Sequence, residues 1–295
     1  MINSNNKIDT ILSAQCNSRR LLSVGNRNYI LSIINQYSHL YSIPGFSSAF
    51  DSNSDVNKIA SDLDMIDFET GYLQFFDYPL CKKFCEIYNA KKSFIKIQQR
   101  ETIFLDIKNK DKLCILQNFK KGTKQKAKSE TQGYQFVYSY TSDFFDLYSN
   151  LAFVKSFSSV YCYTKKNLLD LSKSKNIYFI GIKVNDELIA GSFFRKIDFF
   201  SNIRFDYLLS ATKMGSSSKW IVKVLWEAIK FAIDLDCDIF NFGGGTKEKD
   251  SLHFFKLSFG SYQKKFYTCR LINRNANNAD FYLESDILNN DFFPS

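Results

Sequence analysis

The order of elements predicted between residues 177 and 245 constrains the fold of this chain more than any other feature. Two segments rich in β-branched and aromatic residues flank Asn185-Asp186, and a third follows over 204–210. A long helix with apolar spacing then leads into a buried-type strand at 237–242. Asn and Asp tolerate the positive φ angles of a tight hairpin turn. A hairpin that feeds a helical crossover into a further strand predicts an α+β domain with a mixed sheet.

Helices and strands are also predicted in the rest of the chain. The periodicity predicts helices at 28–40, 55–66, 80–90, 143–157 and 165–173, strands at 71–76 and 134–138, and two strands within 93–107 around a turn at Gln99-Arg100. The helix predicted from 111 onward turns into a run of lysines. We therefore divide the chain into a first half at 1–133, a second half at 134–272 and a polar tail at 273–295.

The composition limits the class of protein. The chain has 295 residues, of which 45% are hydrophobic, and this indicates a folded globular protein. No apolar run reaches the length of a transmembrane helix, and the polar N-terminus lacks the apolar core of a secretory signal. The seven cysteines are scattered and none forms a CxxC motif, as is typical of a reducing compartment. A cytoplasmic protein without a bound metal is expected.

The net charge of +9 favours anionic partners such as nucleotides, a coenzyme, tRNA or a membrane surface. Lysine outnumbers arginine, whereas a dedicated phosphate-binding surface uses the arginine fork more often. The lysine run that begins at Lys120 and Lys121 has two interpretations. It is either a solvated helix end or an electrostatic funnel for a phosphate-bearing substrate.

Three consecutive glycines, Gly243, Gly244 and Gly245, follow the buried strand that contains Asn241. They predict either a tight corner or a nest of N–H groups that binds an anion. Asp250 then caps a short helix that ends near Gly260. Phe255 and Lys256 lie on this helix, and Lys256 is expected to face the glycine corner. It is either a solvated charge or a cation that stabilises a developing oxyanion.

A second loop precedes the long helix and contains a glycine and three serines: Gly215, Ser216, Ser217 and Ser218. The N-terminus of a helix exposes free N–H groups that hold phosphates, although the serines would serve equally as helix caps. The sequence contains no GxSxG, HExxH or P-loop motif, and a covalent cysteine or serine mechanism has no evident base. His253, beside Phe254 and Phe255, either packs or assists a proton transfer. This pattern favours direct transfer between two positioned substrates.

The run YFIGIKVNDELIAGSFF, with YLLSAT, LWEAIKFAIDLDCDIFNFGGGT, DSLHFFKLSFG and FYTCRLI after it, resembles the Fem-type branch of the GNAT acyltransferase superfamily. The similarity is good over about 177–271 and weaker over 100–176. It implies two GNAT-like halves with mixed sheets, the first of them degenerate. It also implies transfer of an acyl or aminoacyl group to an amine without a covalent enzyme intermediate.

The resemblance assigns roles to particular residues. The family's Phe-Lys pair maps onto Phe255 and Lys256, the basic segment onto Lys120 and Lys121, and the coenzyme loop onto residues 212–217. That loop departs from the family pattern because it lacks the leading Arg or Gln, which puts coenzyme A in doubt. The other expected substrate contacts are Asn241, Gly243, Gly244, Gly245 and Asp250, and Gly215 with Ser216–Ser218 is expected to hold the donor.

The leading hypothesis is an acyltransferase that forms an amide on an amino sugar, surface-glycan or cell-wall precursor. Its donor is an acyl-CoA or an aminoacyl-tRNA, its acceptor is anionic, and peripheral contact with the inner membrane is compatible with it. Two alternatives remain open at this stage. One is a non-catalytic GNAT-shaped module that binds RNA or nucleotide, and the other is an inactive partner in a glycan pathway.

Overall fold

The computed structural model describes residues 19–244 and 250–273, except for gaps at 25–26, 35–36, 43–54, 65–69, 76–77, 90–92, 131–132, 156–162 and 200–201. The strands are β1 (Arg19–Val24), β2 (Arg27–Ile34), β3 (Tyr37–Ser42), β4 (Thr70–Phe75), β5 (Ser93–Asp106), β6 (Tyr134–Val137), β7 (Ile177–Val184), β8 (Glu187–Phe199), β9 (Asn202–Thr212), β10 (Ile239–Gly243) and β11 (Tyr262–Asn273). The helices are α1 (Val56–Asp64), α2 (Tyr78–Asn89), α3 (Lys112–Gln117), α4 (Lys121–Lys128), α5 (Asp143–Val154), α6 (Lys165–Ser172), α7 (Lys219–Asp234) and α8 (Ser251–Leu257).

The described residues form two compact units, one from residues 19–101 and 265–273 and the other from residues 102–264. The sequence interpretation placed a division at residue 133 instead. Residues 102–133 belong to the second unit because the end of β5 pairs with β10 and α4 packs on α7. These are long-range contacts that local sequence patterns do not report.

The first unit contains a mixed sheet in the order β1-β2-β3-β4-β11, in which only β3 and β4 are parallel. Its apolar core lies between this sheet and the helices α1 and α2 and includes Ile59, Leu73, Phe84 and Leu271. Asp55 caps α1 as predicted, since its carboxylate accepts the N–H of Asn57 at 3.0 Å.

Two predictions in the first unit are wrong. The segment predicted as a helix at 28–40 forms β2 and β3, so His39 lies on a strand, paired with Ser32. Its β-branched and aromatic residues pair along two strands, where such side chains pack well. The two strands predicted within 93–107 form the single strand β5, without a turn at Gln99-Arg100.

The second unit contains a sheet in the order β5-β10-β9-β8-β7-β6. β9 and β10 are parallel, and the other described pairs are antiparallel. The predicted hairpin is confirmed: Asn185 and Asp186 connect β7 to β8 with φ angles of 49° and 65°. The mixed sheet and its flanking helices confirm the α+β class.

Helix α7 covers the sheet of the second unit, as its apolar spacing predicted. It buries a stripe that includes Val224, Leu225, Ala228 and Ala232, which packs against strand residues such as Phe205 and Phe240. Burial of apolar side chains contributes about 25 cal/mol per Å² to folding, so this interface is a main source of the unit's stability. Across the described parts of the chain, none of the helices combines the length and apolar character that crossing a bilayer requires.

Gly260 lies in the turn between α8 and β11 and has the left-handed backbone conformation that favours glycine. Its φ is +71°, and a Cβ at this position would lie 2.7 Å from the carbonyl oxygen of Asn118. Gly122, in α4, is a matched control because a Cβ there would meet no atom within 4 Å. We expect Gly260→Ala to lower the free energy of unfolding by about 1–3 kcal/mol and Gly122→Ala to raise it by about 0.5 kcal/mol. Urea denaturation of both variants checks this, and equal effects would contradict the contact with Asn118.

Candidate functional site

The candidate site lies at the carboxyl ends of the two parallel strands of the second unit. β9 and β10 pair from Ile239 opposite Arg204 to Asn241 opposite Asp206. The described pairing stops there, although β9 continues to Thr212 along β8. β10 itself ends at Gly243, and the region beyond the carboxyl ends of parallel strands is where open sheets usually bind ligands. The glycine corner follows β10 directly into this region.

Gly243 and Gly244 form the described part of the glycine corner, and Gly245 lies outside the described residues. Gly243 has a φ of +70°, and its N–H donates to the side-chain oxygen of Asn241 at 2.9 Å. Both glycines are buried. The carbonyl of Gly244 is turned toward α8 and accepts a hydrogen bond from Lys256. The corner is therefore fixed by one contact from its own strand and one from the next helix.

Helix α8 positions Lys256. Asp250 begins the helix, and its carboxylate accepts the N–H of His253 at 2.7 Å. Lys256 is only 5% exposed. Its amine donates to the Gly244 carbonyl and lies 5.6 Å from the centre of the Tyr207 ring on β9. The amine therefore lies between the glycine corner and Tyr207 in the middle of β9, away from bulk water.

Burial has a large effect on the charge of this amine. It lowers the pKa of Lys256 from 10.5 to about 7, and the nearby carboxylate of Asp250 opposes the shift. Both protonation states are then populated at neutral pH. Strongly shifted pKa values are concentrated at functional sites, where a group must exchange or share a proton. Burial also raises the pKa of Tyr207, whose hydroxyl is hydrogen-bonded to that of Ser210.

A buried polar network supports the site from within the sheet. The carboxylate of Asp206 accepts hydrogen bonds from Arg204 Nε at 2.5 Å, from Arg195 Nη2 at 3.2 Å and from Asn241 Nδ2 at 3.0 Å. The oxygen of Asn241 also accepts the hydroxyl of Thr102 at 2.8 Å. Asn241 is therefore engaged by protein groups and holds the corner through Gly243.

The serine loop lies at the start of α7, and several features of it suit an anionic ligand. Gly215 has a φ of +73° with open space where a Cβ would be. The hydroxyl of Ser216 is buried and has no hydrogen-bond partner among the described residues. Ser217 accepts the N–H of Lys219 at 3.3 Å, and Ser218 accepts Lys126 Nζ at 2.9 Å. α7 has 16 residues, so its dipole adds positive potential here.

Another lysine near this loop was not predicted from the sequence. Lys223 is 4% exposed, donates to the carbonyl of Ser129 at 2.5 Å and lies 4.9 Å from the centre of the Tyr134 ring. Burial lowers its pKa, and the charges of Lys219 and Lys230 lower it further. A lysine within the apolar stripe of a predicted helix is the signal that could have identified it.

The remaining predicted residues lie on α4 and α8. Lys120 and Lys121 are exposed at the start of α4, and the N–H of Lys120 donates to the carbonyl of Ser258 just after α8. Phe255 is half-buried, and its ring contacts that of Phe259 edge-on at 5.5 Å. In the described portions of the sequence, no group of three or more His, Cys, Asp or Glu side chains is arranged so that it could hold a metal ion.

Sequence reasoning also missed Asp206 and Tyr207. Arg204 and Asp206 alternate on one face of a strand that also carries Phe205, Leu208 and Leu209, and this alternation is a usable signal for a buried ion pair. Lys126 was part of the predicted lysine run, but its contact with Ser218 joins residues 92 positions apart.

No protein-family profile matches the chain, and no curated protein matches its sequence. Solved structures do match. FemX has a TM-score of 0.61 at 11% identity, with 90% of each chain covered. The C-terminal domain of a putative lysylphosphatidylglycerol synthetase from Agrobacterium fabrum has a TM-score of 0.59 at 10% identity, covering 95% of this chain and 91% of that one.

A tandem GNAT protein from the clavulanic acid biosynthesis pathway has a TM-score of 0.53 at 9% identity, covering 90% of this chain and 86% of that one. At such low identity these similarities define the fold. It is the fold of Fem-like and tandem GNAT proteins.

Proposed function

We propose, on the premise of this Fem-like GNAT fold, that the chain is an acyltransferase that moves an acyl or aminoacyl group from a thioester or ester to an amine. The observation that carries the proposal is the buried amine of Lys256, held at the Gly244 carbonyl just beyond the paired segment of β9 and β10. Burying a lysine costs free energy, and a position that only stabilises the fold is better served by an apolar residue.

The proposed reaction is a direct attack of the acceptor amine on the carbonyl carbon of the donor. Negative charge develops on the carbonyl oxygen, and the ammonium form of Lys256 donates a hydrogen bond to it. The N–H of Gly244, the next group along the glycine corner, is a proposed further donor, since that of Gly243 is already donated to Asn241. Collapse of the tetrahedral intermediate expels the thiolate of a thioester or the ribose oxygen of an aminoacyl ester, and the proton that the attacking nitrogen loses passes to this leaving group. Fixed donors in a buried site stabilise such charge far more than water does.

The serine loop is the proposed site for the phosphates of the donor. Ser216–Ser218, Gly215 and the N-terminus of α7 provide hydroxyl and N–H donors, and Lys126 adds a cation at Ser218. Acyl-CoA and aminoacyl-tRNA both bring phosphates to such a loop. Both donors occur in the cytoplasm, which is therefore the proposed location.

The proposed acceptor is an anionic compound with a free amino group, such as a nucleotide-linked amino sugar, a surface glycan or a cell-wall precursor. Lys120 and Lys121 are exposed beside the end of α8 and supply positive charge for it. Asp250, at the start of α8, is the proposed contact for the acceptor's amino group before that group loses its proton and attacks, and its carboxylate also favours the charged form of Lys256. FemX and the lysylphosphatidylglycerol synthetase domain share this fold and make cell-envelope acceptors reasonable first substrates to assay.

A thermal-shift panel tests the donor site, using acetyl-CoA, CoA, charged tRNA, uncharged tRNA and UDP-linked amino sugars. A ligand present at about 100 times its Kd stabilises the folded state by about 2.7 kcal/mol, so the donor should raise the melting temperature by about 5 °C or more. We expect Lys126→Ala to reduce this shift and Lys128→Ala, an exposed control on the same helix, to leave it unchanged.

The panel also separates the alternatives. A response to CoA or charged tRNA, followed by transfer to an amine, supports the enzyme. Equal binding of charged and uncharged tRNA that falls steeply with salt, without turnover, would support the RNA-binding module instead. A panel in which no donor raises the melting temperature would contradict the proposal that the serine loop binds the donor.

A further inference from the structure

Three thiols lie together in the first compact unit. Cys81 and Cys85 are one turn apart on α2, and Cys269 lies on β11. The sulfur atoms of Cys85 and Cys269 are 3.4 Å apart. Cys81 and Cys269 are completely buried, whereas Cys85 is partly exposed. A solute can therefore reach the cluster at Cys85. The sulfur of Cys85 is in contact with that of Cys269, which lies in a distant part of the sequence.

The environment of Cys85 favours its thiolate form. Hydrogen bonds from the thiols of Cys269 and Cys81 lower the pKa of Cys85, and burial opposes this effect. Burial is the main cause that raises the pKa of Cys269. The thiolate is the form of cysteine that reacts with oxidants, so Cys85 is the reactive cysteine of the pair and Cys269 is the resolving cysteine.

We propose that Cys85 and Cys269 form a reversible disulfide when a peroxide oxidises Cys85. The Cys85 thiolate attacks one oxygen of the peroxide, which breaks the O–O bond and leaves a sulfenic acid and hydroxide. The Cys269 sulfur then attacks the sulfenic sulfur, and the hydroxyl leaves as water with the thiol proton. In total, two thiols and one hydrogen peroxide give one disulfide and two waters.

The geometry requires little movement. A disulfide has an S–S distance of about 2.05 Å, so the two sulfurs need to approach by little more than about 1 Å. Both residues belong to the same compact unit, which is built from two separate stretches of chain. The bond would join these stretches across 184 positions of sequence. Closing so long a loop removes entropy from the unfolded chain and stabilises the folded one.

The test is a peptide map of the full-length protein after brief treatment with hydrogen peroxide and alkylation of the remaining thiols. We expect a single new cross-linked species that joins the peptides containing Cys85 and Cys269, and two fewer free thiols per chain. Dithiothreitol should restore both thiols. The melting temperature of the oxidised protein should rise by about 5 °C or more and return to its starting value after reduction.

Variants sharpen the result. Cys85→Ser should abolish the cross-link and the thermal shift, and Cys114→Ser, an exposed control on α3, should change neither. If Cys85→Ser does not fold, the map of the unaltered chain still decides the question. A Cys81–Cys85 bond, a bond between two chains through Cys114, or sulfinic acid at Cys85 without any cross-link would overturn the proposal.

Discussion

Lys256→Met is expected to reduce transfer by about 100- to 1000-fold or more while making the protein more stable. Removing one donor to an oxyanion typically costs this much in turnover. Methionine fills a similar volume without a charge, so the cost of burying the amine disappears, and we expect this gain to exceed the loss of the hydrogen bond to the Gly244 carbonyl. Turnover and urea denaturation of the same variant measure both effects.

Lys264→Met is the matched control because this lysine is exposed at the start of β11. It should change neither turnover nor stability appreciably. Loss of stability in Lys256→Met, or turnover close to that of the unaltered protein, would contradict the proposed role.

The pH dependence of this variant follows from the shifted pKa. Lys256 has a pKa of about 7 in the folded protein against 10.5 ordinarily, so between these values the unfolded chain binds more protons. The stability contributed by this position therefore rises with pH across that window. The stability advantage of Lys256→Met should be largest at pH 7 or below and shrink toward pH 10.5. If the ammonium form is the oxyanion donor, turnover should fall as the pH rises through 7.

Asp206→Asn is expected to destabilise the protein by about 3–5 kcal/mol. The substitution keeps the shape of the side chain but removes the carboxylate that Arg195 and Arg204 share, and both guanidinium groups are buried. Breaking a buried ion pair from one side leaves buried charge without this compensation. Chemical denaturation at neutral pH measures the loss.

Asp234→Asn provides the comparison, because Asp234 pairs with Lys112 at 2.5 Å on the surface. Exposed ion pairs contribute about 0–1 kcal/mol, so its effect should be small. If Asp206→Asn lowers the free energy of unfolding no more than Asp234→Asn does, the buried network around Asp206 does not stabilise the glycine corner. An additional loss of turnover in Asp206→Asn at temperatures where it remains folded would show that the network also positions Asn241 and Gly243.

The elements that were predicted correctly are those specified by local signals. The spacing of Val224, Leu225 and Ala228 defines α7, and Asn185-Asp186 defines the hairpin. Asp250 defines the start of α8 and thereby the position of Lys256, six residues further along. In each case the residues that determine the structure are neighbours in sequence, so their periodicity or turn chemistry is sufficient.

The errors and omissions arise where distant residues determine the structure. The segment at 28–40 has helix-compatible spacing, but pairing between β2, β3 and β4 decides its conformation. The contact between Thr102 and Asn241 joins residues 139 positions apart. The burial of Asp206 and Lys223 likewise follows from how strands and helices assemble. No local pattern encodes such contacts. For this reason Asp206, Tyr207 and Lys223 were identified only from the structure.

Titration of the Lys256 amine measures directly whether this amine is buried at the glycine corner, and it needs no substrate. In protein labelled with ¹³C and ¹⁵N at lysine, the side-chain signal that is missing from Lys256→Met identifies this residue. We expect this signal to titrate with a midpoint near pH 7, since the amine is buried at the Gly244 carbonyl. A midpoint near 10.5, the ordinary value for lysine, would show that the amine is solvated and would contradict its place at the glycine corner.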